Sequence, residues 1–462
     1  MKIKIEELGP IRKADINLDK KFTLFCGYNG TGKTYLSYLI YALTKQGLIF
    51  ITDLIDESFI NLLLNNNKAS FEIDPKIVIK SKNAICENVK RDLDSVFGLS
   101  EKDASSIFKN LNLTFYVNEE ECLNKLNQAS FEDRINFSDE FEVFYRKEAN
   151  SLTVNVEIRK AKNTSMIKNE RIIGDIILSQ IYSRCAIYPI SSSAIFPVER
   201  NSVYTFKTEL SLSRNALIDQ MQKNSNSSNF NPIELLQKST KRYPQAVTDC
   251  LTIANDLSNI QKKNSPLSDV AEEIEAEILN GTVNVTKDGD VLFVSNKQKS
   301  RKLPFHMTAS LVKTLSSLIF YLKHIATKDV LIIIDEPEMN LHPDSQIKLA
   351  RIFGKLINRG VRLLISTHSD YIIREINNLV SISSDKLSVK TKAIELGYNL
   401  DSAINPNDLG FYYFDFTTKT KVDPRGLEIF NNGFEIPSID QAIDIQNQIA
   451  EELFICEKYG ED

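Results

Sequence analysis

The chain has 462 residues, of which 42% are apolar and 25% charged, with a formal net charge of −5. That length exceeds a typical single domain and can bury a sizeable core, so two lobes or a core with insertions is expected. The small negative charge excludes a protein that coats nucleic acid through bulk charge, though not a local basic groove.

The six cysteines are scattered with no CxxC pair, and the four histidines show no HxxxH or HExxH spacing. Disulfide staples and zinc chemistry are therefore not expected, and a reducing cytosol fits. The opening MKIKIEELGPIRKADINL alternates like a strand and lacks an apolar secretory core. No run approaches the roughly 18 apolar residues of a membrane span, so the expectation is a cytoplasmic protein with no membrane partner.

From the N-terminus, the pattern predicts strand, turn, strand, the loop Gly27-Tyr28-Asn29-Gly30-Thr31-Gly32-Lys33-Thr34, and a helix from Tyr35. The loop matches GxxxxGK(S/T) in full, after the apolar strand Phe22–Phe25 and before an amphipathic helix. Gly27, Gly30 and Gly32 let the backbone curl, so that N–H groups here and at Asn29 and Thr31 point at phosphate oxygens. Lys33 reaches the β- and γ-phosphates of ATP, and the Thr34 hydroxyl ligates Mg²⁺.

The middle of the chain is mixed. Phe141–Tyr145 and Leu152–Ile158 alternate as a hairpin, and Arg171–Tyr182 reads as a helix. Cys185–Tyr188 and Ala194–Phe196 read as short buried strands, each followed by a proline. A helical pattern over Glu209–Leu279 is broken by the polar loop Asn224–Pro232 and predicts a protruding helical insertion at 205–280. It shows no sustained heptads. Val283–Val285 and Val291–Val294 form a second predicted hairpin. The basic run Lys297–Lys302 reads as a solvated hairpin edge, or otherwise as a contact to nucleic acid or a partner's phosphates.

Beyond it, a helix at Ser310–His324, the strand Val330–Ile334, a helix at Pro343–Asn358, the strand Arg362–Ser366 and a helix from Tyr371 imply a parallel sheet with covering helices. The strand Leu331–Ile334 runs into Asp335 and Glu336. Two adjacent carboxylates at the end of a buried strand need partners. Asp335 can hold Mg²⁺ and Glu336 can polarise the attacking water. The next strand ends in Ser366-Thr367-His368-Ser369, where His368 can donate to a γ-phosphate oxygen. The tail is mixed and ends in a helix, Ile439–Tyr459, expected to pack on its own core, with effector docking as the alternative.

The strings DEPEMNLHP, NRG and STHSDY, with IEELGPIRKADINL and FCGYNGTGKT at the start, resemble the AAA/ABC-type P-loop ATPases of the RecF, SMC and OLD-like group. The resemblance spans about Met1–Thr44 and Ser300–Leu379. It implies an α/β fold: an ABC-type P-loop ATPase core with mixed sheet and helices, plus a helical insertion. It divides the chain into an ATPase lobe with Walker A and antiparallel additions (1–204), the insertion (205–280), a lobe with signature, Walker B and H-loop (281–384), and a C-terminal α/β extension (385–462).

The resemblance further implies a homodimer that sandwiches nucleotide and is open to higher oligomers. The signature serine carries over to Ser310, which could equally be a helix N-cap; the usual LSGG string is absent. Arg12 and Lys13 resemble residues that contact nucleotide near the adenine. Asn340 and His342 fall in the D-loop at the dimer seam. Glu199 and Arg200 sense the γ-phosphate or pair with each other, and no Q-loop glutamine is assigned.

Stand-alone ATPases of this size resemble the ATPase components of anti-phage systems such as PARIS and Septu, which work beside a separate effector, commonly a nuclease. The expected function is an ATP hydrolase with slow or regulated turnover, whose binding and hydrolysis switch such an effector. DNA is an optional partner. A RecF-type DNA-repair ATPase is the alternative. A transporter subunit is disfavoured by the missing LSGGQ, and a small-molecule kinase has no use for DEPEMNLHP. No Toprim-like acidic pattern follows His368, so nuclease activity within this chain is not expected.

Overall fold

The computed structural model describes residues 1–45, 57–116, 118–138, 141–160, 170–204, 243–287, 289–297, 301–430, 433–434 and 437–459. At its centre lies a six-stranded sheet. In spatial order its strands are Arg425–Leu427, Leu409–Phe414, Phe22–Gly27, Arg362–Thr367, Leu331–Asp335 and Ser193–Phe196. All pairings are parallel except that of the edge strand Arg425–Leu427.

Successive residues of these strands face opposite layers, as the period of two requires. Phe25, Leu331, Ile333, Leu364 and Phe414 enter one apolar cluster. Phe22, Leu24, Ile332, Ile334, Leu363 and Ile365 enter the other. Burial on both faces explains why these strands read as unbroken apolar runs rather than alternating ones. The helix Lys33–Thr44 covers the first face with Leu36, Leu39, Ile40 and Leu43. The helices Ser310–His324, Pro343–Asn358 and Asp370–Ile382 contribute buried residues to the second.

Both expected hairpins exist, each within a larger antiparallel sheet. Phe141–Lys147 and Thr153–Lys160 belong to a four-stranded sheet with Phe131–Ser138 and Lys68–Glu72. Gly281–Val285 and Val291–Ser295 are joined by Lys302–Pro304. The N-terminal pair Lys2–Leu8 and Ile11–Asn17 gains a third strand, Asn112–Phe115.

Several expectations are corrected. Cys185–Tyr188 is not a strand: the helix Glu170–Ala186 runs through Cys185, and Ile177, Ile181 and Cys185 recur at four-residue spacing in one cluster. The predicted insertion does not protrude where it is described. Residues 243–279 fold back as helices whose Cys250, Ala254, Leu257, Val270 and Ile274 join the second core. The loop Asn224–Pro232 lies outside the described residues, as do 205–242 generally and 298–300 of the basic run.

The tail is not wholly an extension either, because Leu409–Phe414 inserts into the main sheet beside Phe22–Gly27. The terminal helix Pro437–Tyr459 does not pack on the core over 444–459, where every residue is exposed.

Gly354 lies inside the helix Pro343–Asn358, and a Cβ there would overlap the Ser402 carbonyl oxygen. Helix propensity alone scores Gly354→Ala as stabilising by about 1 kcal/mol. The close backbone approach predicts the reverse, a loss of at least about 1 kcal/mol, read as a lower thermal midpoint; an unchanged or higher midpoint would mean the 400–402 segment is not seated there.

Candidate nucleotide site

The site is built at the carboxyl ends of three adjacent parallel strands. The register sets Ser366 beside both Phe25 and Asp335, and Thr367 beside Cys26. The glycine loop, the acid pair and His368 therefore leave the sheet at one level, where ligands of open α/β sheets bind.

The loop is held in shape before any ligand arrives. Gly27 has φ 132°, and a Cβ on it would overlap the Phe414 carbonyl oxygen, which also accepts the Tyr28 N–H at 3.2 Å. Gly32, φ 92°, leads into the helix at Lys33 with no side-chain cap, so its first N–H groups stay available to an anion. Gly30, φ 73°, has nothing within 4 Å of where a Cβ would stand. Asn29 is exposed at the tip, and the buried Thr31 hydroxyl donates to Tyr28 O at 2.7 Å.

Lys33 is only 7% exposed, and its ammonium donates to Gly27 O at 3.1 Å and Tyr28 O at 2.7 Å. Burial pushes it down to about 8, against the pull of nearby groups including Asp335 and Glu336.

The acids meet the loop directly. The Thr34 hydroxyl donates to Asp335 Oδ2 at 2.7 Å, and Ser366 donates to Asp335 Oδ1. Asp335 is 1% exposed. Glu336 follows in the left-handed region, φ 47°, a strained backbone for a residue with a side chain. Its N–H donates to Ser366 O at 3.0 Å. Burial, then the neighbouring Asp335 charge, raises the Glu336 carboxyl above its ordinary range.

Arg200 holds this turn. Its guanidinium donates to the carbonyls of Pro197 at 2.9 Å, Asp335 at 2.6 Å and Glu336 at 2.6 Å. It is pushed down to about 10 by burial and remains a cation at neutral pH. Arg200 and Glu199 thus do not pair with each other: Glu199 instead accepts from the Tyr38 hydroxyl at 3.5 Å, on the phosphate-loop helix. Residue order alone could not show that a guanidinium would serve carbonyls of a strand far along the chain.

His368 is half-buried, and its backbone N–H donates to Glu338 Oε1 at 2.7 Å. Burial, with the Lys33 charge, pushes its imidazole down to about 4, so it is neutral at pH 7 with one N–H to give. Glu338 is raised, chiefly by burial. Glu338 and Ser366 carry no separate sequence signal beyond their places in DEPE and STHS.

Other expected positions fall elsewhere. Arg12 pairs with Asp423 of the tail, and Lys13 with Asp15 at 3.4 Å. Ser310 is exposed in the first turn of its helix, whose N-cap is Ala309, so the capping role is not observed. His342 caps the helix Pro343–Asn358, its Nδ1 accepting the Asp344 N–H at 3.3 Å. Asn340, φ 60°, reaches Thr314 Oγ1 at 3.3 Å.

Magnesium suits the donor set. Thr34 and Asp335 present converging hard oxygens. Among the described residues no cluster of three or more His, Cys, Asp or Glu could hold a metal unaided. An ion here shares its shell with phosphate and water, as magnesium commonly does.

Residues 1–373 match the family model described as AAA ATPase domain. No curated protein matches the chain. Among solved structures it is similar to an SMC head bound to the C-winged helix domain of ScpA, at 13% identity, 92% of this chain, 97% of that one and a TM-score of 0.32. It is also similar to the SMC head domain from Thermotoga maritima, at 10%, 93%, 98% and 0.31 in the same order. For the Pyrococcus furiosus Smc head with an extended coiled coil, bound to the C-terminal domain of ScpA, the figures are 12%, 97%, 98% and 0.33. Among the described residues no helix is long and apolar enough to cross a membrane.

Three outcomes follow from the charges. An anion beside Lys33 restores its ordinary pKa, so triphosphate binding near pH 8.5 takes up a fraction of a proton, and near pH 7 almost none; calorimetry in buffers of different ionisation enthalpy reads this directly. Because its folded pKa is depressed, Lys33 makes the nucleotide-free fold more stable as pH rises from about 8 towards the unfolded value. Arg200→Met orphans three carbonyls and should cost about 3 kcal/mol in urea unfolding, with turnover lost in whatever folds.

Proposed function

The chain belongs to the AAA ATPase domain family and has an ABC-type P-loop ATPase core; from that premise we propose that it closes as a homodimer around MgATP and reopens on hydrolysis. The observation that carries this reading is the 2.7 Å contact between Thr34 and Asp335, made across the sheet by residues far apart in sequence.

In this reading the loop N–H groups and Lys33 hold the β- and γ-phosphates. Thr34 and Asp335 hold Mg²⁺, which when bound neutralises charge on the phosphate oxygens. Glu336 accepts the proton of the attacking water, its carapace of buried neighbours having raised its basicity. Water adds to the γ-phosphorus as the bond to the β,γ-bridging oxygen breaks, and ADP leaves. The neutral His368 donates its N–H to a γ-phosphate oxygen, which keeps an uncompensated charge out of the site.

The closing contact in trans is assigned to Ser310. It is exposed at the start of a helix whose first N–H groups lack a side-chain cap, a surface ready for the partner's γ-phosphate. Two sandwiched nucleotides supply the binding energy that shifts open to closed. Such a switch would hold or release a separate effector, and the anti-phage setting is family analogy.

Lys33→Ala is expected to abolish ATP binding. Glu336→Gln should still bind, accumulate as a dimer by light scattering with ATP, and lose turnover at least about 100-fold. Parental turnover in the glutamine variant would remove Glu336 as the base, and an ATP-bound monomer would remove the sandwich. DNA-stimulated hydrolysis with salt-dependent affinity would favour the repair reading instead.

A further inference from the structure

Two exposed apolar surfaces on this chain differ in sign of charge, one acidic and one basic, and do not cover one another. The first is the terminal helix Pro437–Tyr459, 23 residues long and so about 34 Å. Ile445, Ile449, Leu453 and Cys456 follow at spacings of three and four and form one stripe, all exposed, with Leu453 at 67%. Over 444–459 the acids Asp444, Glu451, Glu452 and Glu457 outnumber the single cation, Lys458. An apolar stripe left wholly in water is costly and marks an interaction site.

The second surface is a groove between the helices Asp370–Ile382 and Leu387–Glu395. Ile382, Val389, Ala393, Leu396 and Tyr398 line it, with Leu396 63% exposed. Lys392 lines the groove, and on the segment that forms its wall Lys386, Lys390 and Lys392 outnumber Asp385 and Glu395. Those acids only partly occupy the lysines, at 3.7 Å for Asp385 to Lys390 and 2.9 Å for Glu395 to Lys392. Such exposed pairs are weak and exchange readily.

The two surfaces start from the same place. Phe434, just before the terminal helix, is tied by both backbone groups to the Asn377 side chain at 2.7 and 3.0 Å, next to Asn378 of the groove. The chain just before the helix is therefore anchored beside the groove, while the stripe stays exposed. A two-fold arrangement in which each helix enters the groove of the other copy would be closed and self-complementary. Pairing of two terminal helices with each other is disfavoured, because it would set acidic edge against acidic edge.

We propose that the terminal helix docks in the groove of a second copy of this chain, giving a dimer contact separate from the nucleotide sandwich. It needs no nucleotide, so its failure and that of the sandwich are distinguishable.

The test uses full-length Lys33→Ala protein without nucleotide. Sedimentation should show a concentration-dependent dimer, weakened at least about tenfold by Ile449→Asp with Leu453→Asp. Glu451→Lys with Glu452→Lys should weaken it likewise, and adding Lys390→Glu with Lys392→Glu should restore it. Cys456 is the one exposed cysteine of the six. With Leu396→Cys it should give a covalent dimer on mild oxidation, lost on Cys456→Ser. A monomer at every concentration, a dimer indifferent to the stripe variants, a Cys456–Cys456 link in the parent, or an intramolecular link each overturns the proposal.

Discussion

The organising constraint is the parallel register that sets Asp335, Ser366 and Phe25 side by side. Parallel strands cannot be joined by tight turns, so each arrives by its own crossover and all end at one edge. Because side chains alternate, a one-residue slip would turn Asp335 into a neighbouring layer and bury it in hydrocarbon. The apolar clusters on the two faces hold that register, and the Thr34–Asp335 contact is its consequence at the rim.

At that rim the fold maintains a costly group of charges. Lys33, Arg200 and Asp335 are removed from water, and each is offset by specific partners rather than by solvent, while of Glu338 only one carboxylate oxygen is met, by the His368 N–H. Arg200 has a structural part that resembles a bracket: it ties together the carbonyls at the turn where Glu336 takes its left-handed backbone. Burial shifts Lys33 down and Glu336 up, towards the point where a neighbouring charge can decide their state, and holds His368 firmly in its neutral form.

The tail links this chemistry to the rest of the molecule. Its strand Leu409–Phe414 lies against the phosphate-loop strand, and the Phe414 carbonyl closes on Gly27. Asp423 holds Arg12, and Lys421 reaches Glu7, so the tail is also tied to the two N-terminal strands. The terminal helix follows, exposed over 444–459.

The phosphate loop, the paired acids and His368 were legible in the chain because their chemistry needs particular residues at fixed local spacing, and because strands buried on both faces write themselves as apolar runs. The helices Ser310–His324 and Pro343–Asn358 were legible from local periodicity in the same way. What tertiary structure alone decided involves partners distant in sequence. Arg200 serves carbonyls 135 and 136 positions away, and Ser366 joins Asp335 only through register. The helical segment 243–279 packs inward, and a tail strand completes the central sheet, since apolar periodicity says that a face is buried but not against what. The terminal helix shows the converse: its stripe is plain in the residues, and only the fold reveals that this chain leaves it bare.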